Sequence, residues 1–308
     1  MAEDPFDRDP AVTYAVPEAV APGVVRVVAR NPSPMTFTGT ASYLVGHTRL
    51  ALIDPGPDDA DHAAALLAAM PDGGEIAAIL LTHTHRDHAD GVARLRAATG
   101  APVYGFGPHG AGMSPRMRAL DAEAIGGGEG AARDVMPDRL LVDGARVEGP
   151  GWALTALHTP GHCANHLCFA LAGSGVLFSG DIVMGWSTSI VSPPDGDMAA
   201  FMGSLRRLRT RGDAVYLPGH GRPIADPMAM IDWQIAHRVA RETAILRALE
   251  AGPATAPTLA AGIYEGLDPR LLPAAARNVL AHLIALLDAG RVEAAMPLSA
   301  GSTFALRG

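Results

Sequence analysis

Residues 82–91 read Thr-His-Thr-His-Arg-Asp-His-Ala-Asp-Gly. They follow an apolar run, Ile76 to Leu81, with the composition of a buried strand, and they open a helical pattern that runs to Thr99. Three imidazoles and one or two carboxylates are thereby set on a single strand-to-helix turn. Neutral imidazole and carboxylate are the donors that divalent zinc, iron or manganese take. Without an ion such a cluster is costly, because packed imidazoles oppose one another's protonation and buried carboxylates repel. Taken alone, the stretch also reads as a histidine-rich surface loop. A fold that accounts for it must bring further donors to it.

Three other strand ends carry such donors. Trp152 to Leu157 reads as a strand and runs into His158-Thr159-Pro160-Gly161-His162. Val176 to Phe178 ends in Ser179-Gly180-Asp181, and Ala214 to Leu217 ends in Pro218-Gly219-His220-Gly221. Each donor adjoins glycine, which lets the backbone turn sharply and approach closely. Any one of these histidines alone is more simply a surface or core residue. Together with His83, His85, Asp87 and His88 they describe one convergent site.

The remaining pattern is mixed α and β. Val24–Ala29, Phe37–Thr40, Ser42–Val45, Leu50–Ile53, Val103–Tyr104 and Leu167–Leu171 read as strands. Asp54, at one strand end, either orients a neighbouring ligand or accepts loop N–H bonds. Helices are expected from Asp58 or Asp59 to Met70, over 87–99 with Gly100 as its C′ residue, over 197–211, and from Asp226-Pro227 to about Glu250. Arg206, Arg207, Arg209 and Arg211 read as a solvated helix face. Residues 107–139, rich in glycine with Met113, Met117 and Met136, read as a long irregular insertion, either the edge of a site or a mobile loop. Residues 252–257 read as a linker. A short helix over 258–264, a longer one over about 273–289 and a strand at Arg291–Ala295 then suit a winged-helix-like appendage. The expected domains are 1–252 and 253–308.

Composition narrows the function classes. A hydrophobic share of 48% supports a large core, and no apolar run approaches the roughly 18 residues of a membrane span. Met1 to Pro22 is acidic and proline-rich, without the marks of a signal or transit peptide, so a cytoplasmic protein with no membrane association is expected. Oligomeric state is not readable. Cys163 and Cys168 read as packing residues rather than a disulfide framework. All 24 basic residues are arginine and the net charge is −8, a poor default for binding nucleic acid. There is no nucleophile elbow, phosphate-binding loop or dinucleotide fingerprint.

In His83-x-His85-x-Asp87-His88, followed in order by His162, Asp181 and His220, the chain resembles the metallo-β-lactamase superfamily over roughly residues 24–250. The resemblance implies an α+β fold, a four-layer αβ/βα sandwich, holding two zinc ions, with iron or manganese as alternatives. It implies that His83, His85 and His162 hold the first metal, that Asp87, His88 and His220 hold the second, and that Asp181 bridges them. A narrower resemblance, to the β-lactamase-like protein 2 group, lies in Asn31-Pro-x-Pro34 with Thr36, Gly39-Thr40 and Tyr43. It continues in Thr159-Pro-Gly-His162-x-x-x-His166, Asp195-Gly-Asp197-Met198, His237-Arg238 and the tail. That group includes an endoribonuclease and thioesterases.

The expected activity is hydrolysis of an ester, thioester, lactone or amide by a metal-bridging hydroxide. Asp87 is expected to orient the nucleophile or carry its proton, Asp181 to bridge, and Tyr43 to contact substrate. His166 either donates to the leaving group or is structural. The alternatives are an endoribonuclease, with RNA in place of a small acyl substrate, and a non-enzymatic protein whose metals only stabilise it. Export to act on antibiotics is not expected, since nothing directs the chain to the periplasm.

Overall fold

Along the strands, residues alternate between two environments, and this alternation builds two facing sheets. The computed structural model describes residues 4–308 except Glu129; Met1–Glu3 of the lead-in and Glu129 of the insertion lie outside the described residues. The first sheet runs in the order β1 (Glu18–Ala21), β2 (Val24–Val28), β3 (Ala41–Val45), β4 (Arg49–Ile53), β5 (Glu75–Leu80), β6 (Val103–Gly105) and β7 (Arg139–Leu140). The second contains β8 (Arg146–Gly149), β9 (Trp152–His158), β10 (Leu167–Leu171), β11 (Val176–Gly180) and β12 (Val215–Pro218) in that order. Tyr43, Val45 and Ile53 of one sheet meet Leu154, Phe169 and Phe178 of the other in the central layer.

The helices are α1 (Ala60–Ala68), α2 (Arg86–Ala89), α3 (Val92–Thr99), α4 (Pro115–Ala122), α5 (Met198–Arg209), α6 (Pro227–Leu249), α7 (Ala256–Ile263) and α8 (Leu272–Asp288). Leu44 and Leu52, on the other face of the first sheet, pack with Leu66 of α1 and Leu95 of α3. Leu177 and Tyr216 of the second sheet pack with Phe201 and Leu205 of α5 and Ile231 of α6. The layers are helix, sheet, sheet, helix, as expected.

Strand direction places the site. β4, β5 and β6 are parallel neighbours, and β11 and β12 pair in parallel. β9 runs with β11, because both are antiparallel to β10. The C-terminal ends of β5, β9, β11 and β12 therefore reach one edge of the sandwich, where helix-crossover sheets present their loops. At that edge Ala41 N–H donates to Gly219 O, tying the first sheet to the second.

Several local expectations needed revision. Phe37–Thr40 is a loop, because Phe37 and Gly39 have positive φ and Asn31 clamps the turn through Thr40. The helix expected over 87–99 is broken into α2 and α3, since Gly91 N–H donates to Gly56 O instead of up its own helix. The stretch read as a linker enters the small C-terminal sheet, β13 (Ala254–Thr255), β14 (Val292–Ala294) and β15 (Thr303–Leu306), with β15 in the middle.

Of the two readings of the insertion, the edge of the site fits: Arg86 N–H donates to Gly130 O, Ala132 N–H donates to Thr84 O, and the rest packs into the core. Met113, Met117, Leu120 and Ile125 are buried against Val279, Leu280, Leu283 and Ile284 of α8. The arginines of α5 are exposed as expected, with Arg207 pairing with Asp143 and Arg209 with Asp232. Pro269–Asp288 is long and apolar enough, by length and composition, to cross a membrane, although no sequence run suggested it. Its apolar face is packed in this same cluster.

Candidate metal centre

The turn after β5 brings its donors inward in a fixed order. His83 Nε2 lies 3.0 Å from His85 Nδ1, and His162 Nε2 lies 3.0 Å from the same atom. Three ring nitrogens thus converge from two loops. Beside them, His88 Nε2 and His220 Nε2 are 3.3 Å apart, with Asp87 Oδ2 3.2 Å from His220 Nε2 and 3.6 Å from His88 Nε2. Asp181 stands between the groups: Oδ2 is 3.3 Å from His220 Nε2 and 3.7 Å from His162 Nε2, and Oδ1 is 3.5 Å from His88 Nε2. Asp90, the other carboxylate of the turn, points away and faces Arg86 at 3.6 Å.

The outward ring atoms fix this arrangement. His88 Nδ1 donates to Asp54 Oδ2 at 2.9 Å, and His162 Nδ1 donates to Ile190 O at 2.7 Å. His220 Nδ1 donates to Gly39 O at 3.2 Å, and His83 Nδ1 to Thr82 Oγ1 at 3.0 Å. His85 Nε2 faces Asp195 Oδ2 at 3.6 Å. With each outward nitrogen turned to an oxygen, the inward nitrogen is the one left for a metal, which is how metal-binding histidines are oriented. Asp54 serves both readings left open for it. It accepts from Thr82 N–H and Thr82 O–H, and it orients His88.

Glycines give these loops their closeness. A side chain at Gly219 would meet Asp181 Oδ1 at 2.4 Å and His88 Cε1 at 2.6 Å. One at Gly161, where φ is +143°, would meet the backbone of Phe201 at 2.3 Å.

The donors fit divalent ions. Nitrogen separations of 3.0–3.3 Å compare with about 3.3 Å between ligands on a tetrahedral zinc. Asp181 Oδ1 is buried with no hydrogen-bond partner, an orphan that a cation would satisfy. The groups His83–His162–Asp181 and Asp87–His88–His220 are each compact enough to hold one ion. Cys163 lies within the same reach of His83 and His85. Its thiol points to Asn165 Oδ1 at 3.4 Å, and burial beside Asp195 pushes its pKa well up, which disfavours the thiolate.

The electrostatics differ between the two groups. Burial, with charge repulsion from His88, holds His83 neutral well below the usual histidine range, and burial beside His85 brings His162 down to about 4. Burial also opposes charge on His220, but Asp181 and Asp87 outweigh it and raise its pKa to about 9. His88 is raised well above its usual value against the same burial, by Asp87, Asp181 and Asp54. Asp87 and Asp181 are held ionised, despite burial, by these two histidines.

Two expected site residues fall elsewhere. Tyr43 is buried in the central layer and donates to Pro218 O at 2.7 Å, so it is a core tie and not a substrate contact. His166 is fully buried, with Nδ1 at 2.9 Å from Thr159 Oγ1 and Nε2 accepting Asp181 N–H at 3.1 Å. It has no proton to offer a leaving group, and of its two readings the structural one fits. Asp195 was legible only as part of a motif, and the carbonyls of Ile190 and Gly39 carry no residue signature at all.

Comparison with known proteins agrees with this geometry. The pattern of the metallo-beta-lactamase superfamily matches residues 35–220, and that of the beta-lactamase associated winged helix domain matches residues 255–297. A beta-lactamase-like protein 2 homolog of Drosophila melanogaster is 30% identical over 92% of this chain and 92% of its own length. An atrochrysone carboxyl ACP thioesterase of Aspergillus fumigatus is 32% identical over 76% of this chain and 67% of its own. The crystal structure of a metallo-beta-lactamase family protein from Thermus thermophilus superposes with a TM-score of 0.75 at 26% identity, covering 94% of this chain and 100% of that one. In fold, a beta-lactamase domain protein from Burkholderia ambifaria gives 0.80 at 21% identity over 100% of this chain and 99% of that one. Sequence pattern, fold and donor set converge, and the chain belongs to the metallo-beta-lactamase superfamily of hydrolases.

Proposed function

We propose that this chain is a binuclear zinc hydrolase acting on an ester or thioester bond of a small acyl substrate. The observation that carries the reading is the pair of donor groups joined by Asp181, with an oxygen facing each outward histidine nitrogen. His83, His85 and His162 would hold one ion, Asp87, His88 and His220 the other, and Asp181 both. The chemistry supplied by a bound ion pair is a water acidified toward neutrality and a Lewis acid for the acyl oxygen. Asp87 is the most exposed of the donors, with 29% of its side chain open, and it would be the group placed to orient the attacking water or carry its proton. His166 holds Asp181 through the backbone, so the carboxylate keeps its place between the two groups. The acyl preference is supported by the thioesterase among the relatives and by the net charge of −8, which disfavours a polyanion.

A second reading, cleavage of RNA, is favoured by the associated winged helix domain alone. Metal analysis of the purified chain, with acyl thioesters, esters and labelled RNA assayed side by side, separates the two. We expect two equivalents of zinc and acyl hydrolysis that Asp181→Asn and His88→Ala abolish. A zinc-loaded chain that cleaves RNA and no acyl substrate would overturn the first reading.

A further inference from the structure

The seam between α6 and α8 is polar where a helix contact is ordinarily apolar. Gln234 and Arg238 of α6 and Asn278 and His282 of α8 are all buried there. Among the described residues Arg238 has no carboxylate partner. It donates to Ser189 O and, at 3.3 Å, to Asn278 Oδ1, and lies 5.1 Å from the Phe201 ring centre. Burial pulls its pKa to about 10, a sign of what the placement costs. Apolar residues of similar volume often hold helices together as well as buried charges do, so what these polar groups bond to is the informative feature of the seam.

What the seam holds is residues 189–195. Asn278 Oδ1 accepts Val191 N–H at 2.9 Å. Arg277 donates to Ser192 Oγ at 3.0 Å and to Pro193 O, and also to Ile125 O and Gly126 O of the insertion. The same segment touches the metal centre from its other side. Ser189 O–H donates to Asp181 O at 2.5 Å, and Ile190 O accepts from His162 Nδ1. Asp195 accepts Ala164 N–H through Oδ1, while its buried Oδ2, without a hydrogen-bond partner, faces His85 Nε2 and, at 3.5 Å, His109 Nδ1 of the insertion.

We propose that residues 189–195 form a positioning strap, held by Arg238 and Asn278, through which the C-terminal helices set the orientation of His162 and His85. Asn278, Arg238 and Asp195 are positioning residues for the first metal site, and the winged-helix portion is part of its geometry. The strap rests on the proposal that His83, His85 and His162 bind a metal.

The test uses the full chain, stripped and titrated with cobalt(II) as the probe. Chelator competition reports each binding step, and the visible absorption band reports the coordination of each ion. Asn278→Leu, which removes the acceptor, and Asp195→Asn, which keeps the shape but turns an N–H toward His85, should each weaken one binding step at least ten-fold. Each should also shift that step's absorption band and leave the other step unchanged. Asn278→Asp keeps the acceptor and should bind within about three-fold of the natural chain. A purely structural role would lower the melting temperature and leave both steps and both bands as they were; that result in folded Asn278→Leu overturns the strap. So does Asn278→Asp that is as impaired as Asn278→Leu. Should Asn278→Leu not fold, Asp195→Asn with unaltered binding overturns it alone. If the natural chain takes up no cobalt, the binuclear reading and the strap fall together; if it takes up two ions and the variants match it, only the strap falls.

Discussion

Asp54 Oδ2 lies 2.9 Å from His88 Nδ1, and both residues are almost wholly buried. The same oxygen accepts the Thr82 hydroxyl at 2.6 Å, and Thr82 in turn receives His83 Nδ1. One carboxylate therefore backs a histidine of each donor group. Asp54→Asn places an N–H against two donors or turns the amide away from Thr82 N–H. Either way, metal affinity should fall by about 10–100-fold. Chelator competition checks this, and affinity equal to that of the natural chain would remove Asp54 from the account.

The φ of Gly219 lies outside the left-handed region, so the obstacle to alanine there is Asp181 Oδ1 at 2.4 Å and His88 Cε1 at 2.6 Å. Gly219→Ala should lose the metal that Asp181 and His88 share while the fold survives. Circular dichroism with metal analysis separates the two effects. A variant with full metal content would show that these side chains have room to move.

The charge state of the second group makes metal uptake a proton exchange. With the His220 pKa at about 9 and His88 also raised by Asp87, Asp181 and Asp54, both rings favour the protonated form near neutral pH. A metal needs their lone pairs, so binding should release about two protons. Calorimetry in two buffers of different ionisation enthalpy measures this, and an apparent enthalpy independent of buffer would contradict it. By the same sign, affinity should weaken as pH falls.

Cys163 and His162 compete as the third donor beside His83 and His85. The high thiol pKa and the outward tie of His162 to Ile190 O favour histidine. Cys163→Ala should keep its full metal content and His162→Ala should not, as metal analysis of the two variants would show.

His282 gives the fold an acid limit. Burial, with the charge of Arg238 nearby, lowers its pKa to about 3, against about 6.5 in an unfolded chain. Between these values the unfolded state binds a proton that the folded state refuses, so stability is lost as pH falls through this window. His282→Met removes that titration and two ring nitrogens that lack hydrogen-bond partners. Relative to its value at pH 8, its stability at pH 5 should exceed that of the natural chain by about 2 kcal/mol. Parallel urea-unfolding profiles against pH for the two proteins would assign the acid sensitivity elsewhere.

The donors were legible because their chemistry and the chain's local grammar coincide: a histidine or aspartate beside glycine at a strand end announces both a ligand and a turn. The insertion was not. Its glycines and prolines break the helical period, and the stripe of Met113, Met117 and Leu120 has its partner in α8, more than a hundred residues away. Tyr43 reads as a site residue beside Thr40 and Ser42, yet strand alternation turns its ring into the sheet interface. His166 lies four residues past His162, but both ring nitrogens are engaged within the core. The oxygens of Ile190 and Gly39 belong to the backbone, and only the folded chain decides what a carbonyl faces.

The middle strand of the small sheet, Thr303–Leu306, is also its last in chain order. Neither β13 nor β14 has a partner in that sheet until it arrives. At usual rates of synthesis, roughly 10–30 s separate the emergence of His162 from that of Phe304. During that interval the histidines exist without the completed C-terminal sheet. The C-terminal sheet is therefore the last part of the chain able to close, and the helix that carries Asn278 gains its final cover only when synthesis is nearly done.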